Sequence, residues 1–265
     1  MFGSLWQVLP HDEAGSGPTV VLLHAGIADR TMWSEHLEPL AEVGYRVVAL
    51  DLAGFGEAPV TTGESAPWID VLATMDTMEI HYAALVGNSF GGAVALRAAV
   101  VAPERVSALA LISAPAPGVE PSEELQAAWA GEENALERGE LDEAVNAVID
   151  AWTLAGAPAE LRERIAAMQR RAYELQGNAE EVSEADDPVD QDPDALSGLR
   201  MPALIAVGAE DRLEFRQGAE LLAATMPNAR LEVIEGAGHL APLETPERFR
   251  ELLLGFLTGE FPPAT

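Results

Sequence analysis

The stretch ALVGNSFGGAVAL, Ala84–Leu96, decides the fold of this 265-residue chain. Ala83–Val86 reads as a buried strand and Gly91–Val101 as an Ala-rich helix, with a sharp turn through Gly87, Asn88, Ser89 and Phe90 between them. A plain strand-to-helix connection needs one or two small residues. This one sets glycines two before and two after a single serine, with Gly92 besides. Glycine has no Cβ, so neighbouring backbone can close to contact at Gly87 and Gly91. Such a turn holds Ser89 Oγ out beyond the strand end. It also puts the Phe90 N–H at a helix start, where unpaired amides and the helix dipole favour negative charge. Gly-x-Ser-x-Gly between a strand and a helix is the pattern of a nucleophile elbow.

Outward from the turn, apolar β-rich runs recur at Thr19–Leu23, Arg46–Leu50, Val106–Ile112, Ala203–Val207 and Arg230–Ile234. Helix-like segments lie between them, at Thr31–Val43, Trp68–Ile80, Phe215–Met226 and Pro246–Leu257. The strands are continuous apolar runs, the mark of burial on both faces, and this predicts an α/β fold: a mainly parallel sheet wrapped by helices. One interval breaks the alternation. From Pro117 to Gly198 no strand is expected, and Ser122–Ala130, Leu141–Trp152 and Ala159–Leu175 read as helices. Pro121 and Pro158 stand where helix starts tolerate proline. The acidic, Pro-containing run Glu180–Arg200 reads as loop. The expected organisation is a core formed by residues 1–116 and 199–265, with a helical insertion over 117–198 lying across the C-terminal edge of the sheet, where sites in such folds open.

Composition excludes several classes. There is no cysteine, hence no disulfide, no thiolate nucleophile and no Cys-based metal site. The formal net charge is −29, and every basic residue is Arg. Such a field repels nucleic acid and anionic membrane surfaces, so neither is an expected partner. It fits either adaptation to high salt or a solvated acidic surface of biased composition. No apolar run reaches the ~18 residues of a membrane span. The opening MFGSLWQVLP lacks a basic region followed by an apolar one, so a cytoplasmic location is expected.

A serine hydroxyl is a weak nucleophile until a base takes its proton. His239 follows the last expected strand in VIEGAGHLAPLETPERF, on a glycine-containing loop able to bring an imidazole to the sheet edge. His11 falls in a polar loop, and His36 and His81 on or near helices, as structural or solvated residues; His24 ends a strand and suits a backbone-bonding role. Asp211, in ALIAVGAEDRL after the preceding strand, supplies the carboxylate to orient His239. The order Ser89, Asp211, His239 differs from those of the serine proteases. The second donor for an oxyanion is expected from the loop after Val20–Leu23, at the Gly26 N–H, beside that of Phe90.

With these residues in place the chain resembles the α/β-hydrolase superfamily across nearly its whole core. The matches are LLHAGIADRTMW, VVALDLAGFGEAP, ALVGNSFGGAVAL, ALIAVGAEDRL and EGAGHLAPLETPERF. The resemblance implies that residues 117–198 form a cap over the site, with Trp152 lining an acyl or alcohol pocket and Met32 and Trp33 lining it from below. Ala25 stands where glycine is common in the family, and Ala53 and Ala58 where Arg and Ser are common. GSLWQVLP looks like one N-terminal strand, with the usual preceding strand absent or truncated. Serine at the elbow sets the chain apart from relatives that use Asp there.

The implied activity is hydrolysis of small to medium carboxylic esters through an acyl-enzyme on Ser89, a carboxylesterase reaction on a small-molecule substrate. GNSFGG also resembles the elbow of carbon–carbon bond hydrolases that cleave ring-fission products. Their anionic dienoic substrates fit the acidic composition and Ala25 less well. They stand as the alternative, beside enol-lactonases and perhydrolases, with a ligand receptor that keeps the triad as the non-enzyme alternative. GAGHLA and GFGEAP fail as dinucleotide loops on context, and a chain without lysine has no phosphate-binding Gly-Lys loop. No metal and no cofactor are expected, and the oligomeric state is left open.

Overall fold

The computed structural model describes residues 8–177, 182–192 and 194–263. Seven strands form its central sheet: β1 (His11–Gly15), β2 (Thr19–Leu23), β3 (Arg46–Leu50), β4 (Ala83–Asn88), β5 (Val106–Ile112), β6 (Ala203–Gly208) and β7 (Ala229–Ile234). Their order across the sheet is β1-β3-β2-β4-β5-β6-β7. β1 pairs antiparallel with β3, and every other pairing is parallel.

Successive residues on a strand point to opposite faces, so each central strand feeds two cores. Val21, Leu23, Leu85, Leu109 and Ile205 face one side. There they meet α2 (Pro67–Thr77), α3 (Phe90–Val101) and α9 (Leu213–Thr225) through Met75, Val94 and Leu222. Val20, Leu22, Val86, Ile112 and Leu204 face the other side. Their partners include Leu40 of α1 (Ser34–Glu42) and Phe249 and Phe256 of α11 (Pro246–Glu260). Leu22, Leu85 and Leu204 are fully buried, each such side chain contributing about 1.5–3 kcal/mol of transfer free energy.

The two edges depart from the sequence expectation. His11 is not in a loop but opens β1, whose HDEAG sequence carries no apolar run; its place is set by pairing with β3, from His11 opposite Leu50 to Gly15 opposite Arg46. The expected strand GSLWQVLP lies mostly outside the described residues, and its last three, Val8–Pro10, are not in a strand. At the opposite edge Leu231 and Val233 of β7 remain exposed, so this strand is not buried on both faces.

Between β5 and β6 run α4 (Glu123–Glu137), α5 (Leu141–Trp152), α6 (Ala159–Gln176), and the short α7 (Pro188–Gln191) and α8 (Ala195–Gly198). α4 packs on α5, and α5 on α6. Ser122 caps α4, its hydroxyl accepting from the Leu125 N–H at 3.2 Å. α4 continues seven residues past the expected end at Ala130, through Gly131, because Leu125 and Ala135 on either side of that glycine are both buried. The expected loop over residues 180–200 also carries α7, α8 and a two-residue strand, Ser183–Glu184, paired with Glu64–Ser65. The last short helix, α10 (Ala241–Glu244), precedes α11. No helix among the described residues is long and apolar enough to cross a membrane.

Candidate active site

β4 ends at Asn88 and α3 begins at Phe90, leaving Ser89 alone between them at φ 53°, ψ −116°. A non-glycine residue with positive φ is strained by about 1–3 kcal/mol and persists only where its surroundings hold it. Here the Ser89 N–H donates to the Ile112 carbonyl at 2.8 Å, and the Ser89 carbonyl accepts from Ala93 N–H at 3.0 Å. The three glycines permit the turn. A Cβ on Gly87 would stand 2.2 Å from the Gly91 carbonyl oxygen, one on Gly91 2.3 Å from that of Leu23, and one on Gly92 2.7 Å from the Ala114 Cβ.

The turn delivers Ser89 Oγ to 2.8 Å from His239 Nε2, across 150 residues of sequence. His239 Nδ1 lies 3.0 Å from Asp211 Oδ1 and 3.3 Å from Oδ2. A carboxylate only accepts, so Nδ1–H donates to Asp211 and the bare Nε2 accepts from the serine hydroxyl. Asp211 Oδ1 also accepts from the Arg212 N–H at 2.8 Å, and its side chain is fully buried. The imidazole is packed against Trp152 and Phe215, with ring centroids 4.5 and 4.4 Å away. In such an arrangement the histidine can take the serine proton while the carboxylate holds the ring and stabilises the imidazolium.

Glu244 fixes the loop that carries the imidazole. Its Oε2 accepts the N–H groups on either side of His239, from Gly238 at 2.8 Å and Leu240 at 3.2 Å. Its Oε1 accepts from the Leu154 N–H beyond α5 at 3.2 Å. Burial pushes the Glu244 carboxyl above its usual range, against the pull of these three donors.

His24 is fully buried and bonds backbone on both sides: Nε2 accepts from the Leu52 N–H at 2.9 Å, and Nδ1 lies 2.8 Å from the Ala25 carbonyl. The ring therefore ties the loop after β2 to the loop after β3. Gly26, in the first of these loops, sits against Phe90, and a Cβ there would be 3.4 Å from the Phe90 Cβ. Phe90 opens α3, so its N–H has no intrahelical acceptor.

Two chambers meet at Ser89. The larger, about 360 Å³, is mostly apolar, with Ala93, Val119, Leu125, Trp129 and Phe215 in its wall and Glu214 at one side. The smaller, about 250 Å³, is bounded by Gly26, Ile27, Trp129, Glu132, Trp152 and His239. Trp152, expected at the pocket, lines both, as does Trp129. Met32 and Trp33 do not line either chamber. Both are fully buried, because the short helix Arg30–Trp33 turns them into the core, where Met32 Sδ accepts from the Ala25 N–H at 3.4 Å and Trp33 packs on Phe249. Sequence reasoning missed Trp129, Glu132 and Phe215. The first two are three apart on α4 and hence on one face, but the helix expected to end at Ala130 left Glu132 outside it, so the pairing could not be read.

Neither chamber has an Arg among its lining residues. Among the described residues no group of three or more His, Asp or Glu side chains is placed to hold a metal ion.

Residues 18–246 match the model of the alpha/beta hydrolase fold family. The chain belongs to that family. Among its relatives, the alpha/beta hydrolase is 31% identical over 264 residues to a 2-hydroxy-6-oxononadienedioate/2-hydroxy-6-oxononatrienedioate hydrolase of Burkholderia vietnamiensis, covering 93% of this chain and 90% of the relative. It is 30% identical over 261 residues to a 2-hydroxymuconate semialdehyde hydrolase of a Pseudomonas species, covering 93% and 89%. Among solved structures, a thermophilic esterase from Thermogutta terrifontis superposes with a TM-score of 0.74 at 29% identity, over 95% of this chain and 93% of the esterase. This alpha/beta hydrolase therefore matches both dienedioate and semialdehyde hydrolases and an esterase over almost their full length.

Proposed function

We propose that the chain is a serine hydrolase acting at a carbonyl carbon, with Ser89 as nucleophile, His239 as base and acid, and Asp211 as the orienting carboxylate. The observation that carries this is the continuous relay from Ser89 Oγ through both nitrogens of His239 to Asp211, at 2.8 and 3.0 Å. Ser89 Oγ adds to the carbonyl carbon as His239 Nε2 takes its proton. The N–H groups of Gly26 and Phe90 receive the oxyanion, each such donor stabilising the transition state by about 3–4 kcal/mol. His239 returns the proton to the departing group. A water activated by the same imidazole then releases the acyl group. The segment 117–198 acts as the cap: its α4 and α5 supply Trp129, Glu132 and Trp152 to the space above Ser89.

For the bond that breaks, the named relatives favour carbon–carbon cleavage next to a ketone, as in a 2-hydroxy-6-oxo-dienoate. The electron pair of the broken bond then has to be delocalised through the substrate's own conjugated 2-oxo acid, in its keto form, and the carbon protonated by the proton that His239 Nε2 took from Ser89. Ester cleavage is the second reading, and it is favoured by the lining: two chambers without Arg offer no counter-charge to a carboxylate, and a carboxylate desolvated without a partner is costly. The test is turnover of a 2-hydroxy-6-oxo-dienoate, followed by loss of its absorbance, beside a p-nitrophenyl ester series from acetate to decanoate. Ser89→Ala and Asp211→Asn serve as controls. Turnover that survives Ser89→Ala would overturn the mechanism. Ser89-dependent turnover of the esters without the dienoate would select the second reading.

A further inference from the structure

The smaller chamber holds a carboxylate that no Arg pairs among the described residues. Glu132 is half-buried on its wall, and no Arg lines the space. Its Oε1 accepts the buried Tyr173 hydroxyl at 2.6 Å, which fixes the carboxylate in place. Its other oxygen accepts no hydrogen bond among the described residues. The same wall carries two indoles, Trp129 and Trp152. Trp129 is 44% exposed, unusual for so large an apolar side chain, and it borders both chambers. The Arg212 guanidinium, held by the Ala151 carbonyl and Glu124, already lies over the Trp152 ring 5.6 Å from its centre, so the exposed Trp129 is the indole that offers the freer face to a further cation.

A carboxylate beside aromatic faces is the chemistry that holds an organic cation. The indoles attract it through their quadrupoles, and the carboxylate supplies the charge. We propose that this chamber is a subsite for an ammonium group of the substrate, held by Glu132 with the Trp129 and Trp152 rings. Burial alone raises the Glu132 carboxyl above its usual range, and a bound cation offsets that penalty. The chain's net charge of −29 draws cations toward the surface in the same sense. The substrate so defined carries an ammonium group on one side of its scissile carbonyl and an apolar group on the other, in the larger chamber. This distinguishes the chain from relatives whose named substrates are dioates. The inference rests on Ser89 as nucleophile for the position of that carbonyl and on ester cleavage, the second reading above, for the bond that breaks; the binding of the cation rests on neither.

The test separates the two. Calorimetric binding of choline is compared with that of its uncharged isostere, 3,3-dimethylbutan-1-ol, on the full chain, on Ser89→Ala and on Glu132→Gln. The glutamine keeps an oxygen for Tyr173 and removes the charge. Choline is expected to bind at least about tenfold tighter than the isostere to the full chain and to Ser89→Ala, and the preference is expected to vanish in Glu132→Gln. Equal affinity for the two ligands, no choline binding, or a preference that survives Glu132→Gln would overturn the subsite. Hydrolysis of butyrylcholine and of 3,3-dimethylbutyl butyrate is measured alongside. Ser89-dependent hydrolysis without a charge preference removes the subsite and leaves the hydrolase. A Glu132-dependent preference in binding without Ser89-dependent turnover leaves the subsite and removes the hydrolase.

Discussion

Asn88 Nδ2 donates to the backbone carbonyl of His239 at 3.1 Å, and to that of Ile112 at 3.0 Å. The residue preceding Ser89 thus holds the main chain of the residue facing it. The Asn88 side chain is fully buried and joins β4, β5 and the His239 loop at one point.

Asn88→Ala removes that link. The Ile112 carbonyl keeps the Ser89 N–H as a donor, while the His239 carbonyl is left buried without the amide. The expected loss is about 1–3 kcal/mol of stability, read from urea unfolding. Displacement of the imidazole should lower kcat by about 10–100-fold with little change in KM. A variant with unaltered kcat would show that the loop holds His239 without Asn88.

Ser89 is strained where it stands, at φ 53°. Ser89→Gly and Ser89→Ala should both lose at least about 10³-fold in turnover. They should differ in stability, because glycine adopts positive φ without a Cβ clash. Ser89→Gly is expected to be about 1 kcal/mol more stable than Ser89→Ala, a difference that paired denaturation curves resolve.

Two glycines of the site make opposite demands. A methyl on Gly87 runs into the Gly91–Gly92 peptide unit, 2.2 Å from its oxygen and 2.5 Å from its nitrogen, with no flexible side chain to give way. Gly87→Ala should cost about 3 kcal/mol and distort the turn. On Gly26 the methyl comes only to ordinary contact with Phe90, at 3.4 Å. Gly26→Ala should remain within about 1 kcal/mol of the parent while narrowing the smaller chamber. Thermal melts of the two variants, beside their activities, check both statements.

His24 makes stability depend on pH. Burial lowers its pKa in the fold, and protonation would deprive the Leu52 N–H of its acceptor. In the unfolded chain the imidazole takes up its proton near pH 6.5. Below that pH the unfolded chain binds a proton that the folded chain refuses, so stability falls as pH falls and the His24 contribution is complete above about pH 6.5. His36, also buried, acts in the same sense. Glu132 and Glu244, whose pKa values are raised, act oppositely and favour the fold toward acid. The difference between the parent chain and His24→Asn isolates the one group: the gap in unfolding free energy should shrink from pH 7.5 to pH 5. A constant gap would contradict the buried neutral ring.

The central strands were legible because β2, β4, β5 and β6 are buried on both faces and so carry unbroken apolar runs. β1 was not, since HDEAG owes its position to hydrogen bonds with β3 rather than to buried side chains. The turn at Ser89 could be read because its glycines answer a local steric demand. Met32 and Trp33 were misplaced for the opposite reason. Their apolar character suits a pocket wall or a core equally, and the direction of one short helical turn chose the core.

By itself, the sequence determined the parallel α/β sheet, the strained serine turn, and the chain order of Ser89, Asp211 and His239. Each follows from neighbouring residues: periodicity, glycine placement, and loops at strand ends. Only the tertiary structure decided that Trp129 and Trp152 line both chambers, that Glu132 lines the smaller one, and that Glu244 brackets His239. Those relations depend on how α4 packs on α5 and α5 on α6, and on where that stack meets the loops around Ser89; side chains that meet across such an interface are separated in sequence by too many residues for any local pattern to record them.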